Sequence, residues 1–320
     1  MWKRGVVTPG VRMQRALERG GTRRFSLTLL AGSQVALRVQ DEILIARLYD
    51  ELVVGGRIHK TTRRNRFKGL DRIIVEKLIA EWPHAEEISI HDVGASSGIT
   101  TLELWQAVLA QRPARAHASD YYANMLLIRR EGTPLTIACD EEGEPLQFTW
   151  GEFVFSARQR ESFLRPVNRW LQARAMAVLP QVTEVLAARK SGRDVPAGWS
   201  IEEVGLWHPV CRLAAAADSR FTMGRHDVCM PLTPRWHFVR AMNVLNPGYF
   251  SPERQREAVR ALAGSLLPGG LLLMGRTREE ADSSSVATLF KSTGDGLVPI
   301  LDLRGGAENR ALVLEAGKHS

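Results

Sequence analysis

At 320 residues, 44% hydrophobic and 24% charged, the chain has ordinary globular composition; that excludes collagen-like and low-complexity classes and allows one large α/β domain with additions or two smaller ones. Its 43 basic and 35 acidic side chains give a net charge of +8, which permits nucleic acid, anionic lipid or an acidic substrate as partner and requires none of them. Cys139, Cys211 and Cys229 are widely spaced and form no CxxC pair, so neither a zinc knuckle nor a disulfide framework is indicated, no metal is expected, and a reducing, cytoplasmic setting fits.

Residues 1–40 begin with Lys3, Arg4, Arg12, Arg15, Arg19 and Arg23 against the single acid Glu18, followed by the short apolar run Phe25 to Leu30. They read as a flexible leader, because no A-x-A cleavage site follows as an export signal would need. Asp41 to Val54 predicts a helix, with apolar residues at 43, 44, 45, 48, 49 and 52. A basic turn runs from His59 to Gly69, and Leu70 to Trp82 predicts another helix, so 41–85 reads as an N-terminal helical extension. The run Ile88 to Val93 predicts a strand, Thr100 to Ala110 a helix and Arg115 to Asp120 a second strand: β–loop–α–β in about 35 residues, the start of a doubly wound sheet.

Residues 131–200 break this rhythm. Trp150 to Ala188 reads mostly as helix, with Phe163, Val167, Trp170 and Leu171 on one face, so the segment is expected to be a mainly helical insertion that governs the substrate or forms a lid. The alternation then resumes: a helix at His208 to Ala217, strands at Phe221 to Val228 and Trp236 to Val244, a helix at Ser251 to Leu267 and a strand at Leu271 to Met274. Val286 to Phe290, Val298 to Leu303 and Ala311 to Glu315 read as closing strands. The expected fold class is α/β: a Rossmann-like, doubly wound, mostly parallel sheet with helices on both faces, formed by 86–130 and 201–320. No apolar run approaches the roughly 20 residues of a membrane span.

The chemistry concentrates in Asp92-Val93-Gly94-Ala95-Ser96-Ser97-Gly98, where a strand turns into a helix through small residues. Glycine there permits positive φ and close backbone approach by a ligand. A nicotinamide dinucleotide would favour G-x-G-x-x-G for its pyrophosphate; this loop reads G-x-x-x-G, which weakens that assignment. A ligand without phosphates needs backbone contact and an acid for its ribose, and Asp120 supplies the acid at the end of the second strand. His91, His208 and His226 read as local hydrogen-bonding groups.

These residues resemble the motifs of class I, Rossmann-like S-adenosylmethionine-dependent methyltransferases. Asp92-x-Gly94-x-Ser96-x-Gly98 is similar to their D-x-G-x-G-x-G, with serine for the middle glycine; Ser119-Asp120-Tyr121 resembles the acidic second motif; His226-Asp227-Val228 resembles the segment that brackets adenine; Leu266 to Leu273 resembles L-x-P-G-G-x-L. The resemblance implies S-adenosyl-L-methionine as cofactor, held by Asp92, Gly94, Ala95, Ser96, Gly98, Asp120, Tyr121, Asp227, Val228 and Asn243. It places Asn243 and Tyr249 near the transferred methyl as candidate catalytic residues. Gly94 to Gly98 and Val239 to Leu245 also resemble segments of the chemotaxis-receptor glutamate methyltransferases. Ile99-Thr100 stand where that family has a pair of glutamates, so a receptor glutamate is not implied as substrate.

Trp150 and Phe155 of the insertion are candidate substrate contacts, and the acceptor is a small molecule or a protein group. An RNA acceptor is the alternative suggested by Arg63-Arg64-Asn65-Arg66-Phe67-Lys68, although Asn243 to Tyr249 does not match the [DN]-P-P-[YF] of base-amino methyltransferases; a methyltransferase-like fold that only binds a partner is a third reading.

Overall fold

A computed structural model describes residues 3–4, 7, 25–31, 45–46, 48–49, 52–54, 58–60, 63–156, 166–277 and 285–318. The chain divides into two compact units, 62–123 with 210–320, and 1–61 with 124–209.

The first of these units is a seven-stranded sheet. Its elements in chain order are α1 (Lys68–Glu81), β1 (Ile88–Val93), α2 (Ile99–Leu109), β2 (Ala114–Asp120), α3 (Pro209–Ala217), β3 (Phe221–Arg225), β4 (Trp236–Met242), α4 (Pro252–Gly264), β5 (Leu266–Thr277), β6 (Ser285–Thr293), β7 (Gly296–Leu303) and α5 (Arg310–Ala316). The strand order is β3-β2-β1-β4-β5-β6-β7. The first five strands are parallel, and β6 and β7 continue as an antiparallel meander. The order 3-2-1-4-5 is that of a doubly wound sheet, whose direction of winding reverses between β1 and β4. All six residues of β1 are buried, as a central parallel strand covered on both faces requires. Alternation sends Asp92 toward α1 and α2, where it meets Asp71 and Thr101 through a shared network, and Val93 into a core with Ala258, Val259 and Leu262 of α4 and Val313 of α5.

The strands expected over 221–228 and 236–244 end earlier, at Arg225 and Met242, and three further differences have a visible cause. Ala311 to Glu315 is helix, not strand: Val313 and Ala316, one turn apart, both bury against α4, a spacing that a strand could not use. Helix α4 stops at Gly264, because the Ser265 hydroxyl donates to Ala261 O and accepts the Leu232 N–H. Strand β5 starts at Leu266, so Pro268-Gly269-Gly270 forms a bulge within it, with Gly269 at φ 77°.

The second unit holds an antiparallel sheet in the order Lys3–Arg4, Phe153–Ser156, Pro145–Trp150, Leu135–Asp140, Asn124–Arg130, Trp199–Gly205. The helix Pro166–Lys190 places Val182, Val185 and Leu186 against Leu126, Ile128, Ile137 and Phe148 of this sheet. The insertion thus combines this long helix with strands that the periodicity did not reveal. Its short apolar strands are closed by turns: Gly132 at φ 70° before Pro134, and Gly143 at φ 99° beside Asp140, whose Oδ1 accepts the Glu142 and Glu144 N–H groups. Residues 124–130 and 201–205, assigned by sequence to the same domain as the doubly wound sheet, lie in strands that pair with each other here, and α1, expected in the N-terminal extension, belongs with the doubly wound unit.

Part of the expected leader is also structured. Phe25, Leu27, Leu29 and Leu30 are buried, and Gln147 clamps their backbone by accepting the Leu27 N–H (2.7 Å) and donating to Phe25 O (3.0 Å). In the expected helix 41–54, Ile45, Ala46, Leu48 and Tyr49 are helical, while Val53–Val54 pair as a strand with Ile58–His59; the rest of 41–51 lies outside the described residues, as does Phe163. No helix among the described residues is long and apolar enough to cross a membrane.

Candidate functional site

The loop after β1 lies at the carboxyl end of the sheet, beside the β1/β4 reversal where open α/β sheets bind ligands. Gly94 and Gly98 have φ 70° and 80°, and Ser96, between them, is also left-handed at 58°. A non-glycine residue in that region costs about 1–2 kcal/mol and persists where its surroundings over-determine it. Here Ser96 N–H donates to Asp120 Oδ2 at 2.8 Å, while Ala95 N–H donates to Ser119 O at 2.9 Å. Asp120 Oδ1 accepts the Tyr122 N–H at 3.0 Å, so the acid at the end of β2 fixes both the loop and the chain leaving β2. Gly98 is the N-cap of α2. The fold thus brings Gly94, Ala95, Ser96, Gly98 and Asp120 together at the carboxyl ends of β1 and β2.

Gly94 has a second reason to be glycine. A Cβ there would lie 2.4 Å from Val244 Cγ2, in the chain leaving β4. Next to it, Asn243 is left-handed at φ 62°, accepts the Thr277 N–H at 2.8 Å and donates its own N–H to Gly275 O, tying the end of β4 to β5. Tyr249 is 41% exposed in the following turn, where Asn246 Oδ1 accepts the Gly248 N–H. Tyr121 is 37% exposed and carries the Arg225 guanidinium 4.9 Å above its ring.

Other expected site residues have structural partners. Asp227 accepts the Cys229 N–H at 3.0 Å and faces Arg254 at 3.4 Å. Val228 is buried in the core with Val93 and Val239, so its side chain packs rather than lines an open site. Phe155 is 3% exposed and stacks on Phe148 at 4.8 Å, with Trp150 packed on the same cluster; Phe155 is a core residue of its sheet, which removes it as a substrate contact. In the basic turn, Phe67 is buried beneath Arg66 and Arg240, at 5.6 and 5.1 Å from its ring centroid.

The network that sequence reasoning missed surrounds Arg240. This β4 side chain, 1% exposed, donates Nε–H to Asp92 Oδ1 (3.0 Å), Nη2–H to Asp92 Oδ2 (2.6 Å) and to Thr100 Oγ1 (3.3 Å), and Nη1–H to Asp71 Oδ1 (2.8 Å). Thr101 adds an O–H donor to Asp92 Oδ2 at 2.5 Å. Asp92 is thus a structural anchor beneath the loop. Burial would depress the Arg240 pKa, but Asp92 and Asp71 outweigh it and raise it further, so the guanidinium stays charged. One cation serves two carboxylates. Asp92 takes the bidentate share, and burial pushes Asp71 up to about 7 against the pull of Arg240, with Asp92 and Glu103 reinforcing the rise. An arginine inside a strand as apolar as β4 is itself the signal: a buried charge requires a buried partner.

The opposite face of β1 carries His91, whose Nε2 meets Ser119 Oγ at 2.7 Å, with the His117 ring 4.9 Å away. Among the described residues no group of His, Cys, Asp or Glu is placed to hold a metal ion.

No protein-family model and no curated protein matches this chain. Among solved structures, it is similar to an amino pentose methyltransferase from Micromonospora echinaspora involved in calicheamicin biosynthesis, with 14% identity and a TM-score of 0.29 over 72% of this chain and 65% of that one. It is similar to DesVI of Streptomyces venezuelae with 10% identity and a TM-score of 0.34 over 88% of each chain. The [4+2]-cyclase SpnF aligns at the same level, 13% identity and a TM-score of 0.27, over 67% of this chain and 47% of that one. The chain thus spans just under two thirds of the first of these and about half of the last. The doubly wound class rests on the strand order and loop of the chain itself.

Proposed function

We propose that the chain is an S-adenosylmethionine-dependent methyltransferase acting on a small-molecule or protein acceptor. The observation that carries this reading is the bond from the left-handed Ser96 N–H to Asp120, which joins a small-residue loop and an acid at the carboxyl ends of β1 and β2. The loop offers backbone to a methionine moiety, and Asp120, an acid at the carboxyl end of β2 bonded to that loop, is the group this reading assigns to the ribose hydroxyls. Tyr121 offers a ring face for adenine, and Asp227 its turn. Val228 contributes through packing, and Asn243 by holding the end of β4.

When bound, the cofactor supplies an activated methyl on a sulfonium, open to in-line displacement by an acceptor lone pair. The task of the protein is then positioning, which can supply about 7–11 kcal/mol of the barrier. In this reading the Gly94–Gly98 loop and Asp120 fix one reactant, and Tyr249, exposed beyond β4, would meet the other. A base is required only for an acceptor that must lose its proton.

Calorimetric titration of the full chain with S-adenosylmethionine, S-adenosylhomocysteine and NAD tests the reading. Micromolar binding of the first two and none of NAD is expected. Binding of NAD alone overturns it. Tight RNA binding at physiological salt, lost when Arg63, Arg64, Arg66 and Lys68 are neutralised, would favour a nucleic-acid acceptor.

A further inference from the structure

Arg240 touches none of the residues proposed to contact cofactor except Asp92, yet it joins every element beneath the loop. From β4 it reaches Asp92 of β1, Thr100 in the first turn of α2, and Asp71 of α1, and its guanidinium lies over Phe67. Asp92 immediately precedes Val93 and Gly94, and Thr100 and Thr101 lie in the first turn after the loop's helical cap, Gly98. The loop is consequently held at both ends by one side chain, which is buried with its two carboxylate partners.

We infer that Arg240 is a positioning residue: bridging Asp92, Thr100 and Asp71, it sets the left-handed geometry of the Gly94–Gly98 loop and thereby the affinity for cofactor. The cofactor part rests on the proposed function; the loop part does not. The geometry demands a planar fork, because Nε and Nη2 engage the two Asp92 oxygens while Nη1 faces Asp71 on the other side. Lysine, a point charge, can serve one of these carboxylates at a time. Removing the guanidinium alone would strand two buried acids and endanger the fold, so the decisive variant removes the charges together.

The test compares the full chain with Arg240→Lys and with the combined Arg240→Met, Asp71→Leu, Asp92→Asn variant. Each is measured by thermal melting, by hydrogen exchange of peptides spanning 93–101, and by S-adenosylmethionine titration. The combined variant is expected to melt cooperatively while exchange at 93–101 accelerates at least about tenfold, other peptides of the same unit change little, and cofactor binds at least about tenfold more weakly; Arg240→Lys is expected to fall between it and wild type. If the combined variant folds with loop exchange and affinity within about twofold of wild type, the inference fails. It also fails if exchange rises uniformly through the unit in Arg240→Lys, since that is loss of stability and not of position. A wild-type chain that does not bind S-adenosylmethionine, with loop exchange altered as expected in the variants, removes the proposed cofactor and leaves Arg240 as the residue that shapes the loop.

Discussion

Acidification should destabilise the doubly wound unit, and His91 should set a measurable part of the slope. His91 is 2% exposed; its Nε2 is bonded to Ser119 and its Nδ1 has no hydrogen-bond partner among the described residues. The rings around it are His117 and Trp236, both at 4.9 Å, and His226 at 5.8 Å. Burial, with repulsion from His117 and His226, lowers its pKa to about 2. An unfolded histidine titrates near 6.5, so below that pH the unfolded chain takes up a proton that the folded chain refuses. The stabilisation is therefore complete above about pH 6.5 and is lost as pH falls. The single group removes ~2 kcal/mol between about pH 7.5 and 5, approaching ~1.4 kcal/mol per pH unit. His117 and His226, lowered first by burial, act in the same direction. Asp71 opposes them: its raised pKa gives stability that is complete below its unfolded value and lost as pH rises through about 7. The wild-type slope is a difference of these effects, so His91 is isolated by comparing wild type with His91→Gln. Urea titrations followed by tryptophan fluorescence at about pH 7.5, 6.5 and 5 give the two slopes. His91→Gln should lose ~2 kcal/mol less than wild type across that window. Equal losses in the two proteins would refute the reasoning.

Asp120→Ala should weaken S-adenosylmethionine binding roughly 10- to 100-fold, the value of about 1.5–3 kcal/mol for a hydrogen bond to a charged group, while the chain still melts cooperatively; titration calorimetry reads the affinity. Gly94→Ala should cost about 2 kcal/mol or more, since it adds a left-handed alanine to a 2.4 Å approach to Val244. Adding Val244→Ala to Gly94→Ala should recover the steric part, which a double-mutant cycle in urea will show as a coupling energy. Phe155→Ala should destabilise its own sheet by about 3–5 kcal/mol, as expected for a buried aromatic stacked on Phe148, and should leave cofactor affinity unchanged. A stable Phe155→Ala protein would return that residue to the candidate substrate contacts.

The parts of the molecule legible in the sequence are those whose chemistry is local. Asp92 to Gly98 announce themselves because a strand end, positive-φ positions and a helix start fall within seven consecutive residues, and Asp120 follows from the next strand end. The second unit escaped because its sheet is assembled from segments far apart in the chain: Lys3 pairs with Val154, and strand 124–130 pairs with 199–205. Its strands are short apolar runs, which periodicity alone does not separate from buried helix. Val313 and Ala316 misled for the same reason, since seven residues carry too few turns to display a helical face. Arg240 was hidden differently. Its identity is visible inside an apolar strand, but the partner that makes it intelligible, Asp71, lies 169 residues away on a helix whose sequence gives no reason to single out that acid. A buried charge in a sequence thus poses a question about pairing that only topology answers. In this fold the answer links α1 to the loop at the β1/β4 reversal, so the residue least explained by local pattern stands directly beneath the segment that local pattern explains best.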